Sequence, residues 1–166
     1  MNINDKEINT LIMQEIGLEV GPRQRVYDQD TGAAIRINGM DIVAPGCNGG
    51  RQAVEFDPYN NRKMMGQLFS HFLEKYAEET DVDCQTFYNV DSGTNGKVQC
   101  RLSDNTILTS KPYQRDSLKY MDIIMQLNGD ASPDLEKYDV LPDKETVKKP
   151  QKRGSKNATA KGKSYT

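Results

Sequence analysis

The chain has 166 residues, 36% of them hydrophobic and 28% charged, with a formal net charge of −2. That length suits one domain with tails, and the low apolar share implies a modest core. No apolar run nears the ~20 residues of a membrane-spanning helix, and the acidic start MNINDKEINTLIMQEIG lacks the apolar stretch of a signal peptide.

The near-neutral total hides an asymmetry. Residues 144–166 hold eight Lys/Arg against one Glu, a surplus of +7, so residues 1–143 carry −9. Cys47, Cys84 and Cys100 form no CxxC pair and His71 is the single histidine, which leaves zinc without four ligands and points to a reducing, intracellular setting.

In chain order, Asn4 with Glu7 three residues on has capping-box spacing. Ile8, Leu11, Ile12 and Ile16 then recur at helical spacing up to Gly17. The stripe either folds onto its own domain or docks on a neighbour, and these four residues are the candidate partner-docking helix. From Gln24 to Ala44, RVYDQ, AAIRI and MDIVA are separated by DTG and by Asn38-Gly39, the pattern of a three-stranded meander. The Gly-rich loop Pro45 to Arg51 leads to a short strand, AVEF.

Asp57-Pro58 reads as the cap and first turn of the longest helix, with Met65, Leu68, Phe69, Phe72, Leu73 and Tyr76 as its apolar stripe. CQTFYNV and KVQCRL, joined by DSGTNG, predict a second hairpin, and NTILTS a further strand. Asp116 to Asn128 is helical in pattern, with Leu118, Met121, Ile124 and Met125 on one side and Gly129 as its stop. The expected fold is α+β: small antiparallel β-meanders packed on one long helix, with two shorter helices. Residues 1–129 form the domain and 130–143 an extended acidic and apolar arm. Residues 144–166 form a basic tail, either a solvated disordered end or a segment ordered by a partner.

The motifs carry little chemistry. An EF-hand loop beginning at Asp28 matches Asp28 and Asp30. It then fails, because Gly32, Ala33 and Gly39 stand where Asp or Asn, Gly and the closing Glu are needed. Turn-forming acids are the better account. GCNGGR lacks the Lys-Ser/Thr of a phosphate loop, and Gly162-Lys163-Ser164 has neither a strand before it nor a helix after it. His71 is expected to pack at the core edge without a catalytic partner, and Cys84 and Cys100 sit in strand patterns without activation. The expectation is a protein with no catalytic residue, metal or cofactor. The basic tail is the strongest signal: Lys148, Lys149, Lys152, Arg153, Lys156, Lys161 and Lys163 are candidates for gripping nucleic-acid phosphates or an acidic protein surface, including another copy. Tyr165 is its single aromatic, so base stacking is poorly served.

Short meanders with DQDTG and NG turns, one long helix and partner-seeking tails resemble small structural proteins of tailed bacteriophage virions. RVYDQDTGAAIRINGMDIVAPG looks like segments of crAss-like phage proteins. The resemblance spans residues 23 to 129, rests on turn chemistry and carries over no site residues. It implies a virion component assembled in the host cytoplasm: a ring, neck or adaptor subunit of the head-to-tail connector beneath the portal, or a capsid-associated subunit. Such a protein associates with itself and with other virion proteins. The alternative is a nucleic-acid-binding accessory protein that acts through its tail.

Overall fold

The computed structural model describes residues 3–47, 50–89, 96–130 and 134–141. Helix α1 (Ile3–Ile16) already includes Asn4, so the capping box expected there is not the start of the helix. Ile8 and Ile12 are fully buried and Ile16 nearly so, all within the chain's own core, with Leu11 half-buried beside them. Of the two alternatives for this stripe, the structure has it folded onto its own domain. Burying each isoleucine is worth about 1.5–3 kcal/mol, and these three already have that gain in cis. Gly17 ends the helix at φ +85°, its N–H returning to the Met13 carbonyl.

The first β region is broader than a three-stranded meander. Strand β1 (Leu18–Val20), unforeseen in the sequence, pairs antiparallel with β2 (Val26–Asp28). Strands β3 (Arg36–Ile37) and β4 (Met40–Val43) form the expected Asn38-Gly39 hairpin, with both turn residues at positive φ. Strand β5 (Ala53–Glu55) then joins β4 in parallel, making this sheet mixed. Bridges from Tyr27 to Ala34 and from Arg25 to Val43 link the two sheets.

The longest helix, α2 (Arg62–Thr80), is capped by Asn61, whose Oδ1 accepts the Met64 N–H at 3.0 Å. Asp57 is displaced from the expected cap because residues 57–60 form a turn, with the Asn60 and Asn61 N–H groups both on the Asp57 carbonyl. Asn9 of α1, itself buried, holds that turn by donating to Asp57 Oδ1 at 2.8 Å and accepting the Tyr59 N–H at 3.0 Å. Met64, Met65, Leu68, Phe69 and Phe72 are buried.

The second sheet is β6 (Cys84–Asn89), β7 (Lys97–Leu102) and β8 (Ile107–Thr109), all antiparallel as expected; its turn at 90–95 lies outside the described residues. Helix α3 (Asp116–Asn128) packs on β7 and β8 from one side and on α1 and α2 from others. Leu118, Met121, Ile123 and Ile124 are accordingly fully buried. Gly129 closes the helix at φ +75°. The class is α+β, with α2 against the first β region and α3 against the second.

Candidate functional site

Polar groups concentrate where the β2 turn meets α2. Asp28 ends β2, and the chain reverses at once, with the Gly32 N–H on the Asp28 carbonyl and the Asp28 N–H on the Ala33 carbonyl. Gly32 takes φ +73°, which favours glycine there. The Asp28 side chain turns inward and is fully buried. Its Oδ1 accepts the N–H groups of Asp30 (2.8 Å) and Thr31 (3.1 Å), an Asx turn. Its Oδ2 meets His71 Nε2 at 2.6 Å and Lys75 Nζ at 3.0 Å. His71 and Lys75 are four residues apart on α2 and so share a face.

Lys75 reaches further. Its ammonium lies 2.9 Å from Asp30 Oδ2 and donates to the Ile16 carbonyl at 3.4 Å, at the electronegative end of α1. One side chain thus joins α1, α2 and the β2 turn. Burial alone would raise the Asp28 carboxyl pKa; the bonds from His71 and Lys75, then those from Thr31 and Asp30, outweigh it and hold the pKa well below the usual carboxylate range. Burial likewise opposes the charge on Lys75, but Asp30 and Asp28 raise its pKa. With Asp28 ionised, it is Nε2–H of His71 that donates.

This geometry answers the question raised by the DxDxG pattern. An ammonium ion from the chain itself stands between Asp28 and Asp30, the place a calcium ion would take. Among the described residues no cluster of three or more His, Cys, Asp or Glu is placed to hold a metal. The Asp28–His71 pair is also half of a nucleophile-activating relay, which needs a hydroxyl or thiol within reach of the imidazole. The groove of about 260 Å³ beside His71 is lined by residues 33–37, Gln67 and Leu68, which bring neither. All four lone-pair positions of Asp28 are engaged, and the centre ties α1, α2 and the β2 turn together. His71, expected as a packing residue, proves to be part of it.

A cleft of about 170 Å³ opens next to Lys75, with Glu15, Asp30 and Glu79 among its walls. Burial and then a shared hydrogen bond with Asp130 raise the Glu15 pKa, against the lowering effect of Asn128. Burial, followed by Cys100 and Asp83, pushes the Cys84 thiol up to about 12, which keeps it out of the thiolate form at neutral pH.

The arm forms a second polar assembly. Leu135 and Tyr138 are buried in the core around a 3-10 turn, Glu136–Tyr138. The Tyr59 hydroxyl donates to the Tyr138 carbonyl, and the Tyr138 hydroxyl to Glu7 Oε1 at 3.0 Å. Asp139 Oδ1 accepts the N–H groups of Gln114 (2.9 Å) and Arg115 (3.0 Å). Arg115 returns a bond from Nε to the Val140 carbonyl at 2.6 Å and lies 3.9 Å from the Tyr59 ring centroid. The described part of the arm is therefore a clasp on its own domain.

Of the expected site residues, Ile8, Ile12 and Ile16 lie in the core and Leu11 at its edge. Lys148, Lys149, Lys152, Arg153, Lys156, Lys161 and Lys163 lie outside the described residues. Sequence reasoning reads Asp28 as a turn former alone and misses Lys75, Arg115 and Asp139; the one available signal is the i, i+4 placement of His71 and Lys75 beside the apolar stripe of α2. No helix among the described residues is long and apolar enough to cross a membrane. Searches of protein-family models, curated proteins and solved structures found no match to this chain.

Proposed function

We propose that the chain is a non-enzymatic structural subunit of a tailed-phage virion, a neck, ring or adaptor component of the head-to-tail connector or a capsid-associated protein. The observation that carries the reading is the Asp28 centre. Asp28, Asp30, Lys75 and His71 together join α1, α2 and the β2 turn, which suits a protein whose work is to hold shape. The turn-rich segment resembling crAss-like phage proteins supports it, as does the pairing of a −9 body with a +7 tail, which favours association between unlike surfaces. Quantitative mass spectrometry of purified particles tests the proposal: the chain is expected in multiple copies per virion, and its absence from particles would overturn it.

A second reading, a nucleic-acid-binding accessory protein, rests on the tail lysines from Lys148 to Lys163. It expects DNA binding that weakens with salt and disappears when the chain is truncated after Asp143. Binding unchanged by the truncation, or no binding by the full chain, would exclude it.

A further inference from the structure

Two thiols far from the Asp28 centre meet in the second sheet. In the β6–β7 ladder Cys84 stands opposite Leu102, and Cys100 opposite Thr86. Residues two apart on a strand share a face, so Cys84 and Cys100 are diagonal neighbours on one side of the sheet. That side is the core side, where Val98, Cys100 and Leu102 of β7 are buried and α3 packs. The Ser103 N–H donates to the Asp83 carbonyl at 2.9 Å, which makes Asp83 and Ser103 a hydrogen-bonded pair. Cys84–Leu102 and Thr86–Cys100 are therefore non-hydrogen-bonded pairs, at which the strands approach most closely.

The two thiols lie within hydrogen-bonding reach of each other. A disulfide asks for Cα atoms within about 7 Å and sulfurs about 2 Å apart. Diagonal pairs sit at the upper edge of the first range, and here the side chains already face each other. Their exposure differs. Cys100 is fully buried, while Cys84 is half-buried at the start of β6, an outer strand of its sheet. An oxidant therefore reaches Cys84 first, with Cys100 behind it as the resolving thiol.

We propose that Cys84 and Cys100 form a redox modification site, closed to a cross-strand disulfide by a hydroperoxide and opened again by thiols. The peroxide passes one oxygen to the Cys84 sulfur and leaves as water or an alcohol. The Cys100 sulfur then attacks the sulfenic sulfur of Cys84. The S–S bond forms, the S–O bond breaks, and the departing hydroxide takes the Cys100 proton as water. Two thiols together give up two electrons, and one peroxide is reduced by the same two. Burial pushes the Cys84 thiol up to about 12, so it is protonated near neutrality. Closure accordingly needs sustained oxidant, and the pair stays open in a reducing cytoplasm. The inference stands apart from the assembly reading above.

Hydrogen peroxide treatment of the full chain, followed by alkylation in denaturant, tryptic digestion and mass spectrometry, tests it. Tryptic peptides 76–97 and 98–101 carry the two cysteines. They should be recovered joined, about 2 Da lighter than their sum, and should separate on reduction with dithiothreitol. Cys100→Ser takes away the resolving thiol, so Cys84 should run on to the sulfinic acid, about 32 Da heavier. Circular dichroism verifies folding, with Cys100→Ala replacing Cys100→Ser if the latter unfolds. The same treatment in urea, which removes the sheet, should spread linkages over Cys47, Cys84 and Cys100. The proposal is overturned if Cys84 and Cys100 of the folded wild type both stay alkylatable, or if Cys84 reaches the sulfinic acid with Cys100 in place. Linkages to Cys47 in the same proportions as in urea, or a Cys84 left unoxidised in Cys100→Ser, overturn it equally.

Discussion

Asp28 and Asp139 perform one chemical task in two settings. Each carboxylate accepts two backbone N–H groups, and Asp28 has in addition the Lys75 ammonium at 3.0 Å. Asp28 is fully buried and binds its own turn, two and three residues on, before reaching α2. Asp139 is half-buried and binds residues 24 and 25 positions earlier in the chain. Arg115 touches Asp139 through its backbone, while its guanidinium goes to Tyr59, Asn60 and the Val140 carbonyl. A buried charge must have partners or the fold suffers. A half-exposed one can exchange them for water. The first centre should therefore be needed for the fold, whereas the second should adjust how the arm is held.

Substitution should separate the two. Asp28→Ala leaves Lys75 and His71 facing an empty position and frees two turn N–H groups, an expected loss of about 3–5 kcal/mol in denaturant unfolding. A loss below that of Asp139→Ala would invert the comparison. Acid extends the test. The folded-state pKa of Asp28 is lowered, so the unfolded chain binds more protons between that pKa and the unfolded value of about 3.9. Its contribution is fully present above about pH 4 and disappears as pH falls below that, and Asp28→Asn should show a shallower acid limb than the wild type. Lys75 mirrors this on the alkaline side: its raised pKa stabilises the fold below about pH 10.4, and that share is lost as pH rises further.

Asp139→Ala should cost about 1–2 kcal/mol, since the Gln114 and Arg115 N–H groups regain water. Proteolysis should then reach the arm near Val140 before the domain unfolds; an arm as protected as in the wild type would contradict the clasp. Asn61→Ala, which removes the α2 cap, should cost about 1 kcal/mol. Asp57→Ala offers a contrast, because its carboxylate serves Asn9 and Asn60 and not the helix N-terminus.

What the sequence made legible follows the range of the interactions. The Asn38-Gly39 hairpin, the β6–β8 antiparallel order, the apolar stripe of α3 and its Gly129 stop all depend on neighbours a few positions away. The cap of α2 was misplaced because Asp57 and Asn61 are both good caps. Asn9, 48 residues earlier than Asp57, helps decide between them. β5 could be read as a strand, but its parallel pairing with β4 could not, since alternation along a strand says nothing of direction. The Asp28–His71 pair spans 43 positions and the Tyr59–Tyr138 bond 79, and no local pattern marks either. The turn acids were recognised for shaping backbone; that one of them anchors α2 is a property of the folded chain alone.

The central claim is that the Asp28 centre exists to hold the fold, and a double-mutant cycle tests it most directly. The unfolding free energies of wild type, Asp28→Asn, Lys75→Met and the double variant give the coupling between the two residues. Lys75→Met alone should cost several kcal/mol, because it strips a buried carboxylate of its cation, and should cost much less when Asn already stands at position 28. Equal costs in both backgrounds, or an Asp28→Asn variant more stable than the wild type, would contradict the claim; the latter is the signature of a charge kept for function at the expense of stability.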